Sequence, residues 1–319
     1  HRGLLSPQAG FIIDNWSVTA IPQKTDLISA KGKLVRNLQT ANDPLENYNL
    51  GENTLVTLKT ADGKTNLYGR LIKPVNFDAN KKYPVVVYVY GGPHSQLVNK
   101  SWHNSARWWQ YYMASQGYIS FTLDNRGTNN RGRDFETAIH RRLGVLETED
   151  QMQGIEYLKS LPFVDADRIG VHGWSYGGFM TLNLMLRHPE TFKVGVAGGP
   201  VVDWSLYEIM YGERYMDMPQ ENPEGYENAD MTKSISKLDG KLLLIHGVQD
   251  QTVVMQHSMK FLRECVKQNK KVDFFPYPIH PHNVRGKDRV HLMEKVSRYF
   301  IENLYIFVQS VANSDSPFL

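Results

Sequence analysis

The sequence predicts an α/β-hydrolase fold, a doubly wound and mainly parallel β-sheet with helices on both faces. From residue 83 onward, short apolar segments alternate with segments of helical periodicity, the pattern of parallel strands joined by crossover helices. The segment 83–90 is almost wholly apolar, as expected of a strand buried on both faces. At 173–177, Gly-Trp-Ser-Tyr-Gly lies between an apolar run and an amphipathic segment. Such a sharp strand-to-helix turn places its serine above the sheet.

The first 50 residues differ in pattern from the rest. Residues 10–14 and 16–20 form short strand-like runs, which Ile21 and Pro22 are expected to interrupt, and a further strand pair surrounds residues 30–33. We find no partners for these strands within the segment. They are therefore expected to be the end of a β-structure whose remainder lies outside this chain.

This difference predicts two parts, a β segment over 1–50 and an α/β-hydrolase domain over 51–319. Residues 37–51 are polar and predict a connector between them. Since the chain begins with His1 rather than Met, we expect a fragment or a processed product.

The elements of the larger part follow in order. A hairpin is predicted around Asp62-Gly63, a pair that favours tight turns. The remaining strands and helices alternate along the chain. The predicted strands cover 54–60, 65–72, 83–90, 118–123, 169–172, 193–198, 241–246 and 272–277; the predicted helices cover 105–117, 147–160, 258–268 and 290–304, with one more directly after Ser175.

Composition excludes several function classes. The net charge of +3 is too small, and the basic residues too scattered, for a nucleic-acid-binding protein. No apolar run is long enough to span a bilayer. The single cysteine excludes an internal disulfide framework. Zinc-like Cys/His spacing and phosphate-binding glycine loops are absent from the sequence. We therefore expect neither a metal nor a cofactor.

Ser175 is the predicted nucleophile, and it requires a base and a group that orients the base. In α/β-hydrolases the acid and the histidine follow the serine in the chain, each after a strand. Asp250 follows the strand at 241–246 and is the predicted acid. Asp203 and Asp273 compete with it, but the first precedes a helix, where capping is the simpler role, and the second lies inside a strand.

Two histidines compete for the role of base, because His280 and His282 share the loop after the strand at 272–277. His280 precedes Pro281, which restricts it to an extended backbone and favours a structural role. We therefore predict His282.

The tetrahedral intermediate needs two hydrogen-bond donors. The backbone N–H of Tyr176 is the first, since it directly follows the nucleophile. The second is expected from the loop at 90–94, Tyr-Gly-Gly-Pro-His.

Four motifs identify a family resemblance: Tyr-Gly-Gly-Pro at 90–93, Asp-Asn-Arg-Gly at 124–127, Gly-Trp-Ser-Tyr-Gly-Gly at 173–178, and His246-Gly247 followed by Asp250. Together they resemble the prolyl oligopeptidase family of serine peptidases, in its dipeptidyl peptidase IV branch. Within that branch, residues 193–230 and 280–289 are most similar to the bacterial prolyl tripeptidyl aminopeptidases. The resemblance covers about residues 55–305. It implies that the Tyr90 hydroxyl is the second oxyanion donor, and its spacing also agrees with His282.

An aromatic stripe is predicted to be the substrate pocket. Trp204, Tyr207, Glu208 and Tyr211 would share one face of a helix, a pattern that is also common in protein cores. The resemblance implies instead that Tyr176, Trp204, Tyr207, Tyr211 and Val253 line a pocket for proline.

The length of the released peptide rests on Glu208. A carboxylate on an aromatic face is costly to bury without a positive partner, either Arg214 or the substrate ammonium. The resemblance implies the ammonium and, with Thr252 replacing an asparagine of the dipeptidyl enzymes, favours tripeptides over dipeptides.

The resemblance also implies partners and a location. Relatives carry a β-propeller before the hydrolase domain, so residues 1–50 would be its last strands, with the rest absent from this chain. Short proline-containing peptides are the implied substrates, and a homodimer and a periplasmic or secreted location follow from the family. A carboxylesterase of the same fold and an inactive binding module are the alternatives.

Overall fold

The chain folds into two separate β-sheets, a small antiparallel one and a large mixed one. The computed structural model describes residues 1–312, with side chains to residue 304, so the last seven residues of the predicted 51–319 domain lie outside it. The small sheet contains β1 (Arg2–Leu5), β2 (Phe11–Val18), β3 (Ile21–Ser29) and β4 (Leu34–Thr40), paired in that order.

The N-terminal predictions need correction, because these strands pair with one another. Residues 10–20 were expected to lack partners, yet β2 pairs with β1 on one side and β3 on the other. Pro22 does not end the strand region. It lies in β3 beside a register shift, where the ladder is irregular and its missing N–H is tolerated. The connector is also shorter than predicted, since β4 continues to Thr40.

The large sheet has eight strands in the order β12-β11-β10-β9-β7-β8-β6-β5. Strands β7 to β12 pair parallel with one another, while β6 pairs antiparallel with both β8 and β5. This topology confirms the predicted fold class. The strands are β5 (Asn53–Lys59), β6 (Asn66–Ile72), β7 (Tyr83–Tyr88), β8 (Ile119–Asp124), β9 (Val164–Trp174), β10 (Phe192–Gly198), β11 (Lys241–Gly247) and β12 (Asp273–Tyr277).

Helices cover both faces of this sheet. Along β7, Val85 and Val87 pack towards one face, while Val86 and Tyr88 pack towards the other, as the two-residue period of a strand requires. The first face packs against α3, α4 and α7, and the second against α1 and α8. The helices are α1 (Trp108–Ser115), α2 (Arg133–Glu136), α3 (Leu146–Ser160), α4 (Tyr176–Arg187), α5 (Ile209–Met216), α6 (Pro223–Asn228), α7 (Gln256–Lys267) and α8 (Asp288–Ala312).

Most predicted elements are present with shifted ends. The helix predicted over 105–117 is α1, shortened at its start by a 3-10 turn at Trp102–Ser105. The short helices α2 and α6 were not predicted, because four to six residues are too few to show a helical period. None of the helices that the structure describes has the length and apolar character needed to cross a bilayer.

A buried arginine fixes the long connection between β7 and α1. The guanidinium of Arg70 on β6 is 1% exposed. It donates hydrogen bonds to the carbonyl oxygens of Leu97 and Asn104 and to Oε1 of Gln110. Burial lowers the pKa of Arg70 to about 10, so it stays charged at neutral pH. The segment that begins with Tyr90 is thereby tied to the sheet.

Candidate active site

Ser175 lies at the turn between β9 and α4, where its motif predicts it. Its backbone has φ 63° and ψ −120°, a conformation that costs an L-residue on the order of 1–3 kcal/mol. The flanking glycines make this turn possible. A Cβ on Gly173 would be 2.2 Å from the carbonyl oxygen of Gly177, and one on Gly177 would be 2.3 Å from that of Val89. The serine is thus held at the carboxyl edge of the sheet.

Asp250 lies in the loop after β11 and is held by its own loop. Oδ1 accepts hydrogen bonds from the backbone N–H groups of Thr252 and Val253, both at 2.9 Å, and Oδ2 lies 2.7 Å from Nδ1 of His282. Burial alone would raise the pKa of Asp250, but the hydrogen bonds from His246 and His282 outweigh it and hold that pKa well below its usual range. The carboxylate is therefore ionised at neutral pH.

His246 supports this carboxylate from the end of β11. Its Nε2 donates to the carbonyl oxygen of Val253 at 2.7 Å and lies 3.4 Å from Oδ2 of Asp250, while Nδ1 lies 2.7 Å from Oγ of Ser258. The ring is fully buried, so its orientation is fixed. The sequence indicated His246 only as part of a motif and gave it no role.

The competing aspartates have other partners. Asp203 accepts a hydrogen bond from the backbone N–H of Ser205 and pairs with Lys260, which is the capping role expected of it. Asp273 accepts a hydrogen bond from the Tyr299 hydroxyl at 2.8 Å. Asp250 is the aspartate of the three that meets a histidine of the 280–282 loop.

The structure brings His282, rather than His280, to Asp250. Nε2 of His280 lies 2.7 Å from Oδ2 of Asp288, at the start of α8. His282 is anchored by Trp174, whose Nε1 donates to the His282 carbonyl oxygen at 2.8 Å. Because an ionised carboxylate can only accept, Nδ1 of His282 carries the proton and Nε2 is free to act as a base. His282 and Ser175 line the same cavity, of about 730 Å³.

The two predicted oxyanion donors lie side by side. Tyr90 follows β7 and lines the cavity that contains Ser175, and its ring centroid is 6.0 Å from that of Tyr176. Burial, followed by the neighbouring tyrosines Tyr88 and Tyr215, raises the pKa of Tyr90, so the hydroxyl keeps its proton. The backbone N–H of Tyr176 is at the first position of α4 and has no partner within the helix.

A hydrogen-bond chain places the loop that carries Tyr90. Asn125 donates from Nδ2 to the carbonyl oxygen of Gly91 at 2.9 Å, and Gln151 donates to Oδ1 of Asn125 at the same distance. Arg126 pairs with the buried Asp150 of α3 at 2.7 Å. The 124–127 motif therefore acts on the site through the loop it positions.

Glu147 is a site residue that sequence reasoning missed. The Tyr176 hydroxyl donates a hydrogen bond to Oε1 of Glu147, which is fully buried in the first turn of α3. Its Oε2 makes no hydrogen bond of normal geometry, and burial raises the pKa of Glu147 to about 7. No local sequence pattern distinguishes this residue from an exposed glutamate at a helix start.

The predicted pocket residues form one aromatic cluster. Ring centroids of Trp204 lie 5.5 Å from Tyr176, 5.4 Å from Tyr207 and 5.7 Å from Tyr211, the last pair stacked at 8°. Trp204 is 2% exposed and Val253 fully buried, whereas Tyr207 and Tyr211 are half-buried. The cluster therefore packs into the core through Trp204, and its two half-buried tyrosines reach the protein surface.

The prediction that one helix carries this cluster and Glu208 is wrong. A 3-10 turn spans Trp204–Leu206, Glu208 has an extended backbone, and α5 begins at Ile209. Glu208 is exposed and caps α5, with a carboxylate oxygen 3.0 Å from the Met210 N–H. Among the described residues, no basic side chain lies within 4 Å of the Glu208 carboxylate, and Arg214 is therefore not its partner. Capping is a favourable role for glutamate at a helix start, so the predicted cost of burying it does not arise.

Comparison with known proteins gives consistent results. Residues 103–306 match the model of the prolyl oligopeptidase family. Dipeptidyl peptidase 8 of Mus musculus is 37% identical over 266 residues, which cover 82% of this chain and 30% of the relative. The chain thus spans less than a third of that protein's length.

Two crystal structures extend the likeness. One from Bacteroides ovatus, provisionally named dipeptidyl aminopeptidase IV, is 55% identical with a TM-score of 0.94. Dipeptidyl peptidase 4 of Porphyromonas gingivalis is 34% identical with a TM-score of 0.90. Each superposition covers 95% of this chain and 43% of the other. The family match spans more than half of the sequence, and this chain belongs to the prolyl oligopeptidase family.

Proposed function

We propose that this chain is the catalytic part of a serine exopeptidase that hydrolyses short peptides after proline. One observation carries the proposal: the Asp250–His282 pair, joined at 2.7 Å, shares a cavity with Ser175 on its strained turn. The names of the relatives, both dipeptidyl peptidases, support the peptidase class.

The proposed reaction proceeds through an acyl-enzyme. Nε2 of His282 removes the proton of the Ser175 hydroxyl as Oγ attacks the carbonyl carbon of the proline residue. The oxyanion accepts hydrogen bonds from the Tyr176 N–H and the Tyr90 hydroxyl. His282 then gives its proton to the leaving amine, and a water repeats the sequence to free the acyl group. Asp250 stays ionised throughout and stabilises the imidazolium.

The aromatic cluster supports specificity for proline. A pyrrolidine ring is compact and apolar, and it gains free energy by packing on aromatic faces. Tyr207 and Tyr211 offer such faces at the surface end of the cluster, with Trp204 behind them. Val253, beside Asp250 in the loop, would close the pocket.

The released product is proposed to be a dipeptide. The argument for tripeptides combined Thr252 with a Glu208 whose burial would require a positive partner, and Glu208 is an exposed helix cap. The names of the relatives refer to dipeptides. In the tripeptidyl alternative, the exposed carboxylate of Glu208, three residues before Tyr211, would contact the substrate amine.

Residues 1–50 are proposed to be the last strands of a β-propeller and the linker that joins it to the hydrolase domain. The four-stranded antiparallel sheet has the size of one blade, and every residue of β4 is exposed, including Leu34, Val35 and Leu38. A homodimer and a periplasmic or secreted location, both implied by the family resemblance, remain part of this proposal.

The test uses chromogenic substrates with the purified protein. We expect hydrolysis of X-Pro p-nitroanilide, with kcat/KM at least 10-fold above X-X-Pro and above X-Gly p-nitroanilide. Labelling of Ser175 by a fluorophosphonate is expected in parallel. Hydrolysis of p-nitrophenyl esters without any anilide would favour a carboxylesterase. Absence of labelling would favour an inactive binding module.

A further inference from the structure

The cavity beside Ser175 extends away from the aromatic cluster. Ser175, His282 and Tyr90 line it, but Trp204, Tyr207 and Tyr211 do not. Its volume of about 730 Å³ is that of a site for a small molecule or short peptide. The other lining residues come from β7, α1, the β9 end and α8; among them are Tyr88, Arg107, Trp109, His172, Trp174 and Arg289.

Under the proposed function, this cavity is the space on the leaving-group side of the reaction. In the proposed function, His282 must reach the amine that departs from the acyl-enzyme. The acyl side is occupied by proline on the aromatic cluster, so the departing segment is directed to the space that His282 faces. The inference below rests on that proposed function.

The walls of the cavity carry two arginines and no acid. Arg107 precedes α1 and Arg289 lies in the first turn of α8, so the two come from distant parts of the sequence. Neither has an Asp or Glu oxygen within 4 Å among the described residues, and no carboxylate lines the cavity. Arg107 instead lies 4.8 Å from the ring centroid of Tyr88. Two guanidinium groups are thus open to an anion.

The charges of both guanidinium groups affect the pKa of the same buried residue, His172. His172 on β9 donates from Nδ1 to the carbonyl oxygen of Val196 at 2.8 Å. Burial, together with the charges of Arg107 and Arg289, lowers its pKa to about 4 against that hydrogen bond. His172 is therefore neutral at neutral pH, and the two arginines supply the positive charge of the cavity.

We propose that Arg107 and Arg289 bind the C-terminal carboxylate of a short leaving segment, so that the enzyme prefers small peptides with a free carboxylate near the cleaved bond. Guanidinium groups bind carboxylates through paired hydrogen bonds. The rings of Trp109 and Trp174 provide apolar walls for the side chains of that segment. A longer peptide, or one whose end is blocked, would place no charge between the arginines.

The experiment compares Ala-Pro-Ala-Phe as a free acid and as a C-terminal amide. With the purified protein, we expect kcat/KM for the acid to be about 10-fold or more above that for the amide, since charge-assisted bonds are worth more than neutral ones. In the Arg107→Gln/Arg289→Gln double variant the ratio should fall to about one. The Arg107→Lys/Arg289→Lys double variant should keep part of the preference.

Arg285→Gln is the matched control, because Arg285 is an exposed arginine of the same loop region that does not line the cavity. It should leave the acid-to-amide ratio as in the wild type. Competition provides a readout without variants, since the product Ala-Phe should inhibit anilide hydrolysis more strongly than Ala-Phe amide.

Equal cleavage of acid and amide by the wild type would overturn the inference, as would a preference that survives in the double Gln variant. Failure to cleave either peptide would instead contradict the proposed peptidase itself. The anilide assay separates the two failures, because it needs no carboxylate.

Discussion

The hydroxyl of Tyr176 donates a hydrogen bond to the buried carboxyl group of Glu147, which ties the residue beside the nucleophile to the first turn of α3. A backbone N–H that stabilises an oxyanion must not move during the reaction. The Tyr176 ring is 2% exposed and packs against Gly92, where an added Cβ would lie 2.6 Å from it. The N-terminus of α4 is therefore held from its side chain as well as its backbone.

Glu147 should make stability depend on pH. Its pKa rises from 4.5 to about 7 on folding, so the folded chain binds the extra proton between these values and loses stability as pH rises through them. The full loss is on the order of 3 kcal/mol. In urea unfolding, the free energy of unfolding should decrease more between pH 5 and pH 8 for the wild type than for Glu147→Gln. The nearby charges of Asp150 and Arg187 are retained in both proteins, and parallel profiles would contradict the assignment.

Ser175→Ala should abolish peptide hydrolysis and fluorophosphonate labelling while leaving the fold intact. Alanine must adopt the same positive φ as serine, so the strain at this turn is unchanged. Only the modest rate from substrate binding and oxyanion contacts remains. Labelling kinetics and the thermal unfolding midpoint measure the two effects. A variant labelled at the wild-type rate would exclude Ser175 as the nucleophile.

Alanine substitutions of the two histidines in the 280–282 loop should have very different effects on kcat. His282→Ala removes the group that contacts Asp250 and is expected to lower kcat nearly as far as Ser175→Ala does. His280→Ala breaks the contact with Asp288 at the surface and should affect stability more than turnover. Steady-state kinetics of both variants on X-Pro p-nitroanilide make the comparison. The reverse order would move the base to His280.

Tyr90→Phe removes one proposed oxyanion donor while keeping the ring. We expect kcat to fall by about 100-fold or more with little change in KM, because the hydrogen bond forms in the transition state. Unchanged turnover would assign the second donor to a backbone N–H of Gly91 or Gly92.

The sequence predicted the elements whose signals are local. The Asp62-Gly63 turn, the apolar strand β7 and the Ser175 turn each depend on a few adjacent residues, and all three are present. The choice of His282 followed from a local restriction, the proline after His280, together with the spacing of the family motifs.

What the sequence could not predict depends on distant contacts. The strands of residues 1–40 pair with one another in a way that periodicity does not reveal. An i, i+4 spacing placed Trp204 and Glu208 on one helix, but capping by the glutamate side chain competes with helix continuation. Glu147 acts through Tyr176, 29 positions away, and only tertiary packing brings them together.

The positive φ of Ser175 has a consequence for protein engineering. Glycine adopts this conformation without the strain that serine bears. A library screened only for heat resistance would therefore tend to replace Ser175 with glycine and to accumulate inactive proteins. If the chain is the proposed peptidase, its engineering requires selection for turnover at every round, because the proposed nucleophile occupies a backbone conformation that is strained for serine.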